Sequence, residues 1–362
     1  MFKKVLFLTK YSNNGASSRI RTFQYLYYLK TEISERNYTL KVSPFFSKKY
    51  LELLYSNKNI LYEIILAYVK RFFFLLFFVD KYDVVIIEKE IFPKLPKLFY
   101  KIFIHKKIPY LVDFDDATFD AVNSSILLNK YKYFLSSASM IVCGNEYLKT
   151  RVQEFGGKNI TILPSVINEK KYCLKESINL TNIVTIGWIG TPHTIKYLEA
   201  IISVLDELSQ SHKIKLITIG GKLDSNIVNN TSIDYEYVNW NIETEVSEIS
   251  KFDIGIMPLD TTNWEKGKCA YKLIQYMALA VPVVATRISA NIDLLGSSED
   301  YGLLADDRLS WKNKLALLIE NPSTRKKFGA LGRMRIISNY SLSSQSSRYL
   351  NLIDELISYS SK

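Results

Sequence analysis

Short apolar runs bounded by polar or turn-forming residues recur along the whole chain. Runs of this kind are typical of strands buried on both faces, as in a parallel sheet with helices on each side. The segments between them carry apolar residues at helical spacing, as over 198–208 and 273–280. The pattern predicts an α/β protein. The predicted strands are 5–9, 83–88, 110–113, 140–143, 183–189, 214–219, 253–257 and 281–285.

One polar segment, with a proline near its start and no apolar period, interrupts this alternation. It predicts a linker over 167–182 between two doubly wound, Rossmann-like domains, 1–166 and 183–340. The last segment, 341–362, has helical spacing and is expected to complete the N-terminal domain. We expect the two domains to face each other across a cleft. Because ligands of parallel sheets bind outside the carboxyl ends of the strands, this cleft is the expected site.

The basic charge of the chain lies entirely in its first half. Lys plus Arg number 47 and Asp plus Glu number 36, a net charge of +11. Residues 1–166 hold 25 basic and 14 acidic side chains, also +11, and residues 167–362 hold 22 of each. A basic half favours a polyanionic partner, either nucleic acid or an anionic membrane surface. A solvated surface without a partner fits the charge equally well.

Several classes of protein are excluded by composition. The three cysteines form no CxxC pair and the three histidines have no metal-ligand spacing, so we expect neither a disulfide framework nor a metal site. The most apolar run, 72–79, is well short of the ~20 residues that cross a bilayer. We expect the start of the chain to be a first strand and not an export signal. Any contact with a membrane is therefore expected to be peripheral.

The first predicted strand leads into a turn of small residues. Gly15 is followed by a helical pattern, and small residues at a strand-to-helix turn let backbone amides approach a phosphate. Arg19 and Arg21 would add positive charge there. Because no GxGxxG motif is present, a plain strand-to-helix turn explains Gly15 equally well.

Carboxylates cluster after the strand predicted at 110–113. Asp115 and Asp116 stand where these folds place catalytic groups, and we predict that they act as base, acid or hydrogen-bonding partners of sugar hydroxyls. Since adjacent carboxylates resist ionising together, one of them is expected to have a raised pKa. The alternative is an acidic helix start, which we prefer for Asp120.

The second half offers two elements for an anionic ligand. Gly190 and Thr191 follow a predicted strand and open a helix. Lys268, Lys272 and Gln275 are spaced by four and three residues, so one helical face would present two ammonium groups and an amide to a diphosphate and a ribose. A well-formed helix start and solvated surface lysines are the alternatives.

A basic stretch rich in aromatic and aliphatic residues lies over 93–107. Helical spacing would place Lys94, Lys97 and Lys101 on one side. Together with the phenylalanine-rich run 72–78, the stretch is typical of a membrane-surface element and predicts peripheral contact with an anionic membrane surface. Core packing of the phenylalanines fits the pattern equally well.

Several blocks of the chain resemble family 4 of the glycosyltransferases, which has the glycosyltransferase-B fold of two Rossmann-like domains. The most specific block has the form of a subgroup with a GKCAxKLxQYMA motif. The resemblance implies that a sugar is transferred with retention from a nucleotide diphosphate to an acceptor hydroxyl, without a required metal. It places the donor on the C-terminal domain and the acceptor on the N-terminal domain. The blocks are GASSRIR at 15–21, LVDFDDATFD at 111–120, IVCGNEYL at 141–148, IGWIGTPHTIKYL at 186–198, FDIGIMPL at 252–259 and GKCAYKLIQYMALAVPVVA at 267–285.

This chain departs from the family pattern at both signature acids. Gln275 takes the place of the Glu that usually hydrogen-bonds the donor ribose, and Gly267 takes the place of the preceding Glu. The Arg and Lys that commonly follow the first strand of the C-terminal domain are absent, so the resemblance leaves the diphosphate to Lys268 and Lys272. Asp115 stands where many relatives have a His that contacts the donor sugar.

These observations predict a cytoplasmic glycosyltransferase that is peripheral at the inner face of the cytoplasmic membrane. The expected acceptor is a glycan or a lipid-phosphate-linked glycan, in the biosynthesis of a cell-surface polysaccharide or glycolipid such as lipopolysaccharide or capsule. No cofactor beyond the nucleotide-sugar co-substrate and no nucleic-acid partner is expected. A non-catalytic glycosyltransferase-like subunit is one alternative, because both acids are missing. A nucleic-acid-binding protein is the other, although no recognised binding motif is present.

Overall fold

The computed structural model describes residues 2–56, 58–122, 124–174 and 183–361. The chain divides into an N-terminal unit and a C-terminal unit. The second half of the predicted linker, 175–182, lies outside the described residues, whereas Ile167 and Tyr172 before it are buried in the core of the C-terminal unit. The N-terminal unit comprises Met1–Val166, Gly267–Cys269 and Gln345–Lys362, and the C-terminal unit comprises Ile167–Lys266 and Ala270–Ser344.

The N-terminal unit is built on a parallel sheet of six strands, in the order β2-β1-β3-β4-β5-β6. The strands are β1 (Lys3–Tyr11), β2 (Tyr38–Phe46), β3 (Val84–Glu88), β4 (Tyr110–Phe114), β5 (Met140–Cys143) and β6 (Ile160–Ile162). The helices that follow them are α1 (Ala16–Ser18), α2 (Gln24–Tyr28), α3 (Lys30–Glu35), α4 (Lys48–Tyr55), α5 (Leu61–Phe77), α6 (Lys97–Ile104), α7 (Ser125–Ser136) and α8 (Glu146–Glu154). A π-helical turn, Arg19–Phe23, joins α1 to α2, and a 3-10 turn, Val79–Lys81, follows α5.

The C-terminal unit repeats this plan with a second parallel sheet of six strands, in the order β12-β11-β10-β7-β8-β9. The strands are β7 (Val184–Ile189), β8 (Ile214–Ile219), β9 (Asp234–Val238), β10 (Ile254–Met257), β11 (Val283–Thr286) and β12 (Leu303–Ala305). The remaining helices are α9 (Ile195–Glu199), α10 (Ile202–Ser209), α11 (Ser225–Asn229), α12 (Glu245–Ile249), α13 (Asn263–Lys266), α14 (Tyr271–Ala278), α15 (Ser289–Leu295), α16 (Arg308–Glu320), α17 (Pro322–Asn339) and α18 (Leu342–Ser358). Most of α18 belongs to the N-terminal unit, where Tyr349 stacks on Tyr25 with ring centroids 4.1 Å apart.

The predicted α/β architecture is confirmed, because both sheets are wholly parallel and β3, β4, β5 and β10 are buried along their length. Within the part of the chain that the structure describes, no helix is long and apolar enough to cross a membrane.

The basic stretch at 93–107 differs from its prediction. The helix α6 starts only at Lys97, because Pro96 occupies the position before it with extended backbone. Lys94 lies outside the helix, in the left-handed conformation at φ 59°. The three lysines therefore do not share one helical face, and only Lys97 and Lys101 belong to α6.

The strand order singles out one point in each sheet. In parallel sheets of this kind, ligands bind outside the carboxyl ends of the strands, where the connections leave neighbouring strands in opposite directions. In the N-terminal unit that point lies between β1 and β3, and in the C-terminal unit it lies between β7 and β10. Residues that directly follow these strands are the first candidates for a functional site.

Candidate functional site

At the carboxyl edge of the N-terminal sheet, Lys89 holds the two predicted catalytic carboxylates. Lys89 follows β3 directly, adopts the left-handed conformation at φ 61° and is buried. Its Nζ lies 2.7 Å from Asp115 Oδ1 and 2.8 Å from Asp116 Oδ2. The side chain of Asp115 is 13% exposed and that of Asp116 is 32% exposed. Of the two carboxylates, Asp116 is therefore the more accessible to a ligand.

This arrangement lowers the pKa of Asp115, where repulsion between adjacent carboxylates would raise it. Burial alone would raise the pKa of Asp115, but the charges of Lys89 and Arg21 outweigh it and lower that pKa. Burial would likewise lower the pKa of Lys89, whereas Asp115 and Asp116 raise it well above its ordinary value. The expected mutual repulsion of adjacent carboxylates does not govern the site, because a buried ammonium lies between them. Lys89 was missed by sequence reasoning, although its position directly after a predicted strand was a usable signal.

The turn containing Gly15 is organised around the buried carboxylate of Glu88. The hydroxyls of Ser17 and Ser18 donate to Glu88 over 2.6 and 2.5 Å, and the backbone N–H of Lys10 donates to it over 3.0 Å. Burial raises the pKa of Glu88. A β-carbon at Gly15 would overlap the side chain of Tyr11, so the turn requires glycine for space. Ligand binding by Gly15 and by Arg19, which lies in the turn between α1 and α2, stays a prediction.

Arg21 has a different role from the one expected for it. Its Nη2 and Nε donate to the two oxygens of Asp113 over 2.6 and 2.9 Å, and its Nη1 donates to the carbonyl of Leu163. Arg21 is buried at 2% exposure. It therefore supplies no charge to a ligand, and fixes the end of β4 beside the catalytic candidates instead.

The loop residues Gly267–Cys269 pack in the N-terminal unit, close to Asp115. The Sγ of Cys269 lies 3.2 Å from the carbonyl oxygen of Asp115, and Asn145 donates to the carbonyl oxygen of Lys268 over 3.0 Å. A β-carbon at Gly267 would overlap Ala117, which explains why an acid is not accommodated at this position. Burial raises the pKa of Cys269 well above its ordinary value. Cys269 is therefore a packed thiol and not a nucleophile.

In the C-terminal unit, Lys272 lies beside the end of β7. Its Nζ is 4.2 Å from the centroid of the buried Trp188 ring. A β-carbon at Gly190 would overlap this ring and lie 2.7 Å from the same Nζ, so only glycine brings the backbone this close to the ammonium. Thr191 is exposed, and its N–H donates to Thr194 Oγ1 over 3.1 Å. The structure thus brings together Gly190, Thr191 and Lys272.

The predicted face that combined Lys268, Lys272 and Gln275 does not form. The helix α14 starts at Tyr271, after Ala270 in the left-handed conformation at φ 53°, so Lys268 precedes the helix. Lys272 and Gln275 both belong to α14, but Gln275 is buried at 3% exposure. The three residues were expected on one face only because the helix was expected to begin in the loop.

A carboxylate missed by sequence reasoning lies against Gln275. The Gln275 side-chain amide donates to Glu245 Oε1 over 2.8 Å and to the Tyr172 hydroxyl over 3.0 Å. The other oxygen of Glu245 accepts from Trp240 Nε1 over 2.5 Å. Glu245 opens α12, far from Gln275 in sequence, and no spacing rule links the two. The carboxylate of Glu245 therefore lies beside Gln275, the residue that takes the place of the family's glutamate.

Among the described residues, no group of three or more His, Cys, Asp or Glu side chains is arranged to hold a metal ion. The two edges instead offer ammonium, amide and carboxylate groups. Such groups bind and orient an anionic, hydroxyl-rich ligand through charge-assisted hydrogen bonds.

Comparison with known proteins agrees with this chemistry. Residues 181–321 match the family model of glycosyl transferases group 1. No curated protein matches the sequence. A glycosyltransferase from Rickettsia africae is similar in structure, with a TM-score of 0.71 and 14% identity over 98% of this chain and 99% of that one.

Two further solved structures share the fold. Sucrose-phosphate synthase from Thermosynechococcus elongatus has a TM-score of 0.70 and 12% identity over 99% of this chain and 100% of that one. Anabaena HepE in complex with UDP and glucose has a TM-score of 0.67 and 11% identity over 98% of this chain and 100% of that one. The two parallel sheets are thus those of the glycosyltransferase-B fold. The match to glycosyl transferases group 1 covers residues 181–321, and the similarity of the whole chain to these solved structures is one of fold.

Proposed function

We propose that this enzyme transfers a sugar to a hydroxyl of a glycan or lipid-phosphate-linked acceptor, in the assembly of a cell-surface polysaccharide or glycolipid such as lipopolysaccharide or capsule. The match of residues 181–321 to group 1 glycosyltransferases is the observation that carries this proposal. The donor binds the C-terminal unit, and the acceptor binds the basic N-terminal unit.

In this proposal Lys272 neutralises the donor diphosphate. Its ammonium lies next to Gly190, which follows β7 and lets the backbone approach a phosphate group, with Thr191 beside it. Lys268, which packs in the N-terminal unit, is also proposed to bind the donor. Because the diphosphate gains negative charge as it leaves, fixed positive charge at this place stabilises the transition state more than the ground state.

Glu245 takes over the role of the missing ribose-binding acid. Its carboxylate is held 2.8 Å from the amide of Gln275, the residue that stands at the family's acidic position. A carboxylate oxygen accepts hydrogen bonds from two vicinal hydroxyls, which an amide nitrogen does not. The pair Glu245 and Gln275 therefore offers the ribose one acid in place of the acid lost from α14.

On the acceptor side, Asp116 orients a sugar hydroxyl, and Asp115 with Lys89 keeps Asp116 in position. The bond between the anomeric carbon and the diphosphate oxygen breaks, and the diphosphate leaves with the electron pair. The acceptor oxygen then bonds to the anomeric carbon on the same face, and its proton passes to the leaving phosphate oxygen. Gly15 and Arg19 of the N-terminal unit are also proposed to bind the nucleotide sugar.

The net charge of +11 in residues 1–166 supports contact of the N-terminal unit with an anionic membrane surface. We place the enzyme in the cytoplasm, peripheral at the inner face of the cytoplasmic membrane, where a lipid-phosphate-linked acceptor is accessible.

The test is a transfer assay with UDP-, GDP-, dTDP- and CMP-sugars and a panel of glycan and polyprenyl-phosphate-linked acceptors. We expect one donor to release its nucleotide only when an acceptor is present, and NMR of the product to show the anomeric configuration of the donor. UDP-sugars are the first to test, because HepE binds UDP-glucose. An inverted product, or hydrolysis that no acceptor accelerates, would contradict the proposal.

A further inference from the structure

The helix α5 has an exposed apolar face as well as a buried one. Its buried face is fixed against the sheet by Arg71, which donates to the carbonyl of Ser43 over 2.8 Å and lies over the Phe45 ring at 5.3 Å. Burial lowers the pKa of Arg71 to about 9. The opposite side of the helix therefore cannot turn inward. We call this side the α5 outer face, and its residues are Tyr62, Ile65, Val69, Phe73, Leu76 and Phe77.

The residues of the α5 outer face recur every three or four positions, as one continuous stripe along the helix. Phe73 is 51% exposed and Phe77 is 61% exposed. Burying one such side chain is worth about 1.5–3 kcal/mol, so a stripe of six left in water is unfavourable. A contiguous exposed stripe of large apolar side chains is typical of an interaction site.

Basic residues surround this stripe. Lys70 is exposed on α5 itself, and Lys97 and Lys101 are exposed on α6, which packs beside it. Leu98 between them is 67% exposed and extends the apolar surface. Residues 48–107 hold 12 Lys plus Arg and 6 Asp plus Glu, a net charge of +6.

The acids of this region are largely neutralised by neighbouring lysines. Lys49 Nζ lies 3.3 Å from Glu63 Oε1, and Lys106 Nζ lies 2.5 Å from Asp80 Oδ2. The surface is thus apolar along its centre and cationic around it. A second copy of the chain on this surface would bring like charges together across the interface. An anionic lipid bilayer complements both properties, because it accepts apolar side chains below its headgroups and attracts the lysines.

We propose that the α5 outer face, with Lys97, Leu98 and Lys101 of α6, is the surface through which the enzyme docks on an anionic bilayer. The inference rests on the proposed membrane contact and assigns it to named residues. The helix lies in the plane of the interface, with its phenylalanines among the acyl chains and the lysines at the headgroups.

The test is co-sedimentation of the full-length protein with phosphatidylcholine vesicles, with and without phosphatidylglycerol. We expect binding to the anionic vesicles, and the double variant Phe73→Ser/Phe77→Ser to lower the partition coefficient at least about tenfold, since each buried CH₂ contributes roughly 0.8 kcal/mol. Lys97→Gln/Lys101→Gln should weaken only the salt-sensitive part of binding. Tyr27→Ser, which removes an aromatic ring 67% exposed on α2, is the matched control and should bind as the wild type does.

Three outcomes would overturn the proposal in different ways. Vesicle binding that is unchanged in the phenylalanine double variant would leave the membrane contact intact and place it elsewhere. A wild type that binds no vesicles would remove the membrane contact itself, while the transfer assay decides separately on the enzyme. A concentration-dependent dimer that the double variant abolishes would identify a second copy as the occupant. Far-ultraviolet circular dichroism of each variant verifies that α5 is still folded.

Discussion

The two units have the same kind of sheet but place charge differently at its carboxyl edge. In the N-terminal unit, buried carboxylates are matched by buried cations, as Lys89 is by Asp115 and Arg21 by Asp113. In the C-terminal unit, Lys272 instead lies over the Trp188 ring. Charges in buried pairs are held in place and set the local backbone, whereas a cation over an aromatic ring is stabilised by the negative charge of the ring face. We propose that the buried pairs position the site and that Lys272 binds the ligand, and the substitutions below test this.

The largest effect is expected from Lys89→Met. The substitution leaves the Asp115 carboxylate buried without its cation, which costs about 3–5 kcal/mol of unfolding free energy at neutral pH. Urea denaturation measures this loss. Lys94→Met is the matched control, because Lys94 has the same left-handed backbone, at φ 59°, but is exposed. The control should lose little stability.

The pair of Lys89 and Asp115 also predicts that the stability of Lys89→Met changes with pH in the opposite sense to that of the wild type. In the wild type the folded-state pKa of Asp115 is depressed, so its stabilisation is present above the unfolded-state pKa and is lost as the pH falls through the folded-state value. Without Lys89, burial raises that pKa, and the variant should gain stability as the pH falls from neutral to mildly acidic. Parallel pH profiles for wild type and Lys89→Met would show that Lys89 does not neutralise Asp115.

A smaller effect is expected from Asp116→Asn, and it should appear in turnover. Asp116 is the more exposed carboxylate, so its loss should lower kcat/KM about 100-fold with little change in unfolding free energy. Asp115→Asn, at the buried position, should reduce stability as well. If Asp116→Asn transfers sugar at the wild-type rate, Asp116 is not part of the catalytic machinery.

The smallest effect is expected at the acid beside α14. In the proposed site, Glu245→Gln removes a charged hydrogen bond to the ribose, worth roughly 1.5–3 kcal/mol, and should weaken nucleotide binding by about 10–100-fold in calorimetry. The double variant Glu245→Gln/Gln275→Glu moves the carboxylate back to α14 and should recover most of the affinity. Recovery is the critical readout, since a purely structural role for Glu245 predicts further loss in the double variant.

The strands that the apolar pattern predicted and those that it missed differ in their position in the sheet. All eight predicted strands are present, and they are the four central strands of each sheet. The four missed strands, β2, β6, β9 and β12, are the edge strands. Edge strands are covered on fewer sides or are short, as the part-exposed β2 and the three-residue β12 illustrate. A search for continuous apolar runs finds central strands and misses edges.

The candidate site was only partly predictable for a related reason. Asp115, Asp116 and Gly190 directly follow strands, so the rule on carboxyl ends finds them. Lys89 and Glu245 act through partners that are distant in sequence, and no local spacing brings those partners together. Arg21 was misassigned because a basic residue near a glycine turn looks the same in sequence whether it faces a ligand or a buried aspartate.

The central claim is that the edge of the C-terminal sheet binds a nucleotide-sugar diphosphate through Lys272. Thermal unfolding of wild type, Lys272→Ala and Lys326→Ala, in the presence of UDP-, GDP-, dTDP- and CMP-sugars, tests it most directly. Lys326 is an exposed lysine of the same unit and serves as the control. We predict that one nucleotide class raises the Tm of wild type and Lys326→Ala, and that the shift disappears in Lys272→Ala. An equal shift in all three proteins would contradict the assignment of Lys272, and no shift with any nucleotide would contradict the donor site itself.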